Sequence, residues 1–140
     1  MVAEERAAWA GLISLVLTIP VYVVVLVGAS DPTASWLPIM LWTIGAGIVL
    51  TVLIIAVWAL IARAREGDAV AATDIRDRDI SRMGTRVEHA FLVIAGLGVI
   101  ALCAVNADVF WIAQTMFAGF AVSAFVGGIA RVIAYRRGLI

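Results

Sequence analysis

The side chains able to do chemistry are few in this 140-residue chain, and most lie in one short stretch. The sole histidine, His89, follows Glu88, and an alternation of acids and arginines precedes both: Asp74, Arg76, Asp77, Arg78, Asp79, Arg82 and Arg86. A metal centre needs three or more ligands converging in a defined geometry. One His beside one Glu does not supply that, because adjacent helix positions point about 100° apart. Glu88 is instead expected to pair with Arg86 or with an arginine ending a neighbouring span. The sequence contains no phosphate-binding loop, no nucleophile beside a base and no cysteine pair. Cys103 stands alone inside an apolar stretch, so it forms no intrachain disulfide and reads as a packing residue. The expectation is a non-enzymatic protein with no cofactor, no metal and no nucleic-acid partner.

The elements that carry these residues follow from composition. Hydrophobic residues make up 64% of the chain and charged residues 14%, more apolar surface than a soluble domain of this length can hide. Four apolar stretches stand out, at about 7–27, 37–62, 87–106 and 109–134, each near the ~20 residues a helix needs to cross a bilayer core. Every basic residue is arginine, and all ten lie in the N-terminal tail, in the segment 63–86 or at the end of the fourth stretch. The connections after the first and third stretches have none. That bias predicts an all-α bundle of four transmembrane helices in a bacterial plasma membrane, with both termini cytoplasmic. The first stretch is longer than the ~7–15 residues of a secretion-signal core, and its tail, Glu4-Glu5-Arg6, is not strongly positive. It is read as a retained span. The whole chain, 1–140, is a single membrane domain.

Local signals refine this outline. Pro20 predicts a kink in the first span, with Thr18 near enough to satisfy the freed Val16 carbonyl. Asp31-Pro32 and Ser35 punctuate an outer loop over 29–36, with Trp36 and Trp42 at headgroup depth. Asn106 suits a left-handed helix end and Asp108 the N-cap of the last span, so the third and fourth spans should form a tight hairpin. Thr115, Gly119, Ser123 and Gly127 recur every four residues and share one helix face where backbones can approach closely. Gly119, Ser123 and Gly127 are the candidate helix-packing residues, either within the chain or in a homodimer.

The polar segment 63–86 is expected to hold a short amphipathic cytoplasmic helix over 73–86. Arg78, Arg82 and Arg86 would form one stripe, with Ile80, Met83 and Val87 beside it. That helix is predicted to lie on the inner leaflet and to turn at Gly84 into the third span. Asp74-Ile75-Arg76-Asp77-Arg78-Asp79-Ile80 resembles the Asp-Glu-Arg-Asp-x-x-Ile box of a family of small uncharacterised bacterial and archaeal multi-pass membrane proteins. Asp74, Arg76, Asp77 and Ile80 match; Ile75 stands where that family has Glu. The resemblance covers the second half of the chain, and it implies a small multi-pass protein with a cytoplasmic acidic–basic box.

These residues lead to a structural or regulatory membrane subunit that docks a membrane or cytoplasmic protein through Asp74, Arg76, Asp77 and Ile80. The competing reading is a small oligomeric transporter or channel subunit for a neutral or lipophilic solute. No Arg, Asp or Glu falls in the middle of any span, which leaves proton coupling without a carrier.

Overall fold

The computed structural model describes residues 3–66 and 75–137, and every regular element is a helix: α1 (Ala3–Gly28), α2 (Pro32–Glu66), α3 (Ile75–Ala104) and α4 (Val109–Arg137). All four are long and apolar enough to cross a membrane, over Glu4–Gly28, Pro32–Ala64, Arg78–Ala104 and Val109–Arg136. Composition explains why helix is the answer. In hydrocarbon each backbone N–H and C=O must find a partner within the protein, and a helix satisfies them inside one segment.

The connections are tighter than the apolar map implies. α2 begins at Pro32, so only Ala29, Ser30 and Asp31 separate it from α1, in place of the expected loop over 29–36. Proline is compatible with the first helical position because its missing N–H would have had no partner there. Asp31 completes the cap. Its Oδ1 accepts hydrogen bonds from the Thr33 and Ala34 amides at 3.0 and 3.1 Å and from the Thr33 hydroxyl at 2.7 Å.

The α3–α4 turn follows its sequence signals. Asn106 has φ 51°, its amide donates to the Cys103 carbonyl and the Ala107 amide donates to the Leu102 carbonyl. This is the double hydrogen bond of a Schellman C-terminus. Asp108 Oδ1 then accepts the Phe110 amide at 2.8 Å and opens α4.

Two other expectations are corrected. α3 runs unbroken from Ile75 through Gly84 to Ala104, so the polar segment from Ile75 onward is the first part of the spanning helix and does not turn at Gly84. Gly84 is buried under an α4 side chain, and this close approach, not a bend, accounts for the glycine. In α1, which holds Pro20 within it, the partner of Thr18 differs from the expected one. Thr18 donates to the Ser14 carbonyl at 2.8 Å, one turn earlier, and not to Val16.

The helices pack in the order α2, α1, α4, α3. α1 touches α2 and α4, α4 touches α3, and the α3–α4 contact is the most extensive. α2 and α3 scarcely meet, so the bundle is open along one side. Nothing in the most apolar stretch of α2 is buried by the rest of the chain. Small residues and hydroxyls make the joints. Ser14 Oγ donates to the Gly47 carbonyl at 2.8 Å between α1 and α2. Between α1 and α4, Leu12 sits over Gly128, where an added β-carbon would lie 2.8 Å from Leu12 Cγ. Further along the same joint the Tyr22 hydroxyl donates to Gln114 Oε1 at 2.7 Å, and the Tyr22 and Phe117 rings lie 4.7 Å apart.

Candidate functional site

Most of the charge gathers at the end of the bundle where α1 begins, α2 and α4 end, and α3 begins. Arg6 Nη1 donates to the Trp58 carbonyl at 3.5 Å, joining the start of α1 to the end of α2. The Arg136 guanidinium stands 5.4 Å from the centre of the Trp9 ring, and the Tyr135 hydroxyl is 3.5 Å from Glu4 Oε2. The start of α1 and the end of α4 therefore lie on one side of the bundle, as four antiparallel passes require.

The most developed feature joins α3 to α4. Arg131 Nη2 donates to Glu88 Oε2 at 2.9 Å, with both side chains about a quarter exposed (24% and 25%). Each partner lies over a glycine of the opposite helix, one turn from the other member of the pair. The Arg131 side chain covers Gly84, four residues before Glu88, and the Glu88 side chain covers Gly127, four residues before Arg131. A β-carbon at either glycine would collide with the charged side chain above it. Ser123 Oγ adds a 2.8 Å hydrogen bond to the Glu88 carbonyl. The result is a reciprocal clasp in which two Gly-x-x-x-charge sequences interlock across an antiparallel helix pair. Arg131 Nε is buried without a hydrogen-bond partner among the described residues.

This geometry corrects the homodimer face. Gly119 packs on Ala95, Ser123 bonds the Glu88 carbonyl, Gly127 lies under Glu88, and Thr115 meets Gly98 at van der Waals distance (3.4 Å from an added β-carbon). The three partner residues, Ala95, Glu88 and Gly98, all belong to α3 of the same chain, so the small-residue stripe is taken up by an intrachain contact. The expected pairing of Glu88 with an arginine ending a neighbouring span is realised by Arg131. What sequence reasoning missed is the glycine beneath each charge. Its signal is the matched spacing Gly84-x-x-x-Glu88 and Gly127-x-x-x-Arg131.

The acidic–basic box divides. Asp74 lies outside the described residues. Arg76 and Asp77 fall in the first turn of α3, and their side chains also lie outside the description. Ile80 is 1% exposed, the most deeply buried large side chain described. So deeply buried, it presents nothing to a docking partner, which corrects its place among the docking candidates. An apolar side chain on a charged helix reads equally well as contact surface or as anchor until the neighbouring helix is placed. Arg78, Arg82 and Arg86 are exposed, one above another. Asp79 Oδ1 is 3.7 Å from Arg82 Nη1, a loose surface pair with the arginine 73% exposed.

His89 is exposed while Glu88 turns to Arg131, so the two diverge as neighbouring helix positions do. No described cluster of three or more His, Cys, Asp or Glu could hold a metal ion. Several apolar grooves open sideways along α1, two of them with hydroxyls in their lining. One, of about 570 Å³, lies between α1 and α2 and includes Leu17, Val21, Pro38 and Trp42; the other, of about 410 Å³, reaches α4 at Phe117 and Phe120. Their hydroxyls are already committed. Ser14 bonds Gly47, and Thr18, Thr43 and Thr51 each bond a carbonyl one turn back. At the other end, the Thr33 hydroxyl and then the Ala34 amide hold the Asp31 carboxyl below its usual range.

No family model matches the chain, and no curated protein or solved structure is similar to it.

Proposed function

We propose that this chain is a non-enzymatic subunit of a bacterial plasma membrane, with both termini cytoplasmic, that docks a partner protein through the cytoplasmic end of α3. The single observation that carries the reading is the inward Ile80 set against the outward Arg78, Arg82 and Arg86. A charge run that only enforces topology has no need of a fixed orientation. Here one buried isoleucine and the Glu88–Arg131 clasp hold the polar turns as a firm extension of the span, which presents a surface of constant shape. Of the matching box positions, Arg76 and Asp77 fall in the first turn of that extension. A transport role for a neutral or lipophilic solute is the weaker reading, because the groove hydroxyls already serve backbone carbonyls.

The test is affinity purification from native membranes of the full chain against Arg76→Glu combined with Asp77→Arg. The reading expects proteins that co-purify with the wild type in stoichiometric amount to be lost from the variant, with helix content unchanged. An unaltered set of co-purifying proteins contradicts it.

A further inference from the structure

The arginine stripe of α3 spans more depth than one kind of partner can occupy, and its spacing divides it. From Asn106, at the α3–α4 turn, to Arg86 is 20 positions, about 30 Å of helix, which matches the hydrocarbon thickness of a bilayer. Arg86 therefore stands where hydrocarbon gives way to headgroups. Arg82 lies about 6 Å further out, and Arg78 about 12 Å. The headgroup layer on each side is only about 5–7 Å deep, and an ordinary tilt of about 20° shortens these distances by little. Arg86 and Arg82 share the headgroup layer, while Arg78 stands beyond it in water.

Both headgroup-level arginines are exposed, and Asp79 holds Arg82 only loosely at 3.7 Å. The opposite side of the helix is fixed against the bundle by Ile80 and Gly84, so the two guanidinium groups cannot roll away from the lipid. Two forked cations one helical turn apart fit a phosphate that carries no compensating cation of its own.

We infer that Arg82 and Arg86 form a binding site for the headgroup of an anionic phospholipid of the leaflet at the arginine end, separate from the protein-docking tip at Arg76 and Asp77. A phosphatidylcholine headgroup, whose choline offsets its phosphate, is excluded from preference by the same chemistry.

The full chain is reconstituted in phosphatidylcholine vesicles containing phosphatidylglycerol, and the selectivity for spin-labelled phosphatidylglycerol over spin-labelled phosphatidylcholine is read by electron paramagnetic resonance. The wild type prefers phosphatidylglycerol. Arg82→Gln and Arg86→Gln each lower that preference by roughly five-fold, as expected for a juxtamembrane arginine. Arg78→Gln lowers it by less than either, and the Arg82→Lys, Arg86→Lys double variant loses part of it, because an ammonium keeps the charge without the fork. Excess inorganic phosphate fails to displace the lipid. Equal selectivity for the two lipids in the wild type overturns the inference. So does a loss from Arg78→Gln as large as from the other two, or displacement by free phosphate, which would mark a site for a soluble anion.

Discussion

Glu88 and Arg131 answer differently to the loss of their partner. A guanidinium cannot lose its proton in any protein, and Arg131 Nε is already buried without a partner among the described residues, so Arg131 stripped of Glu88 stays charged and still less satisfied. Glu88→Gln should therefore destabilise the chain more than Arg131→Met does. Removing one member of a fully buried pair costs about 3–5 kcal/mol; with both side chains a quarter exposed, we expect about 1–3 kcal/mol for Glu88→Gln. Thermal unfolding in detergent, followed by circular dichroism, gives the order, and the double variant should recover part of the loss. A larger effect from Arg131→Met would contradict this description of the clasp. The sequence exposed the charges of this site but not their arrangement. That Glu88 would seek an arginine at a helix end follows from its type and place. That the partner is Arg131 depends on the rotation of α3 about its own axis, which glycines set by permitting close approach. Ile80 was ambiguous for the same reason.

At the scale of the element, the α3–α4 hairpin is the best-packed part of the bundle, and its small-residue stripe is internal. Gly119→Leu would drive a side chain into Ala95, and Ser123→Leu would remove the second hydrogen bond to the Glu88 carbonyl in addition to overpacking. Each should cost about 1–3 kcal/mol of stability and leave the oligomeric state unchanged, as size-exclusion chromatography with light scattering would report. A shift in oligomer mass with unchanged thermal stability would return the stripe to a dimer interface. The α2 cap makes a separate prediction. Because its hydrogen bonds hold the Asp31 carboxyl below its ordinary range, the carboxylate is favoured in the folded state. Its contribution is present above the unfolded value and is lost as pH falls through the lowered folded value. Asp31→Asn, which caps nearly as well, should remove that acid dependence with little change at neutral pH; Asp31→Ala should weaken the start of α2 at every pH. The cap and the α3–α4 turn were open to sequence reasoning because both rest on contacts within a few residues. The true start of α2 was not, because an apolar map reads Pro32 to Trp36 as loop when the proline in fact opens the helix.

At the scale of the molecule, the number and order of the helices followed from hydropathy, since a long apolar segment in lipid satisfies its own backbone as a helix. Their packing order did not. A closed bundle and one opened beside α2 bury the same residue types, and in hydrocarbon no apolar driving force selects between them. Contacts of particular small residues and hydroxyls decide, such as Ser14 on Gly47 and Leu12 on Gly128.

The proposed docking role requires one sidedness, in which the arginine end of α3 faces the cytoplasm and the α3–α4 turn faces out. Impermeant maleimide labelling tests it in a Cys103→Ala background carrying either Ala107→Cys, at the turn, or Ser81→Cys, on the arginine side. The turn position should react in intact cells, and the Ser81 position only after the membrane is made permeable. Reaction of the Ser81 position from outside intact cells would contradict the account.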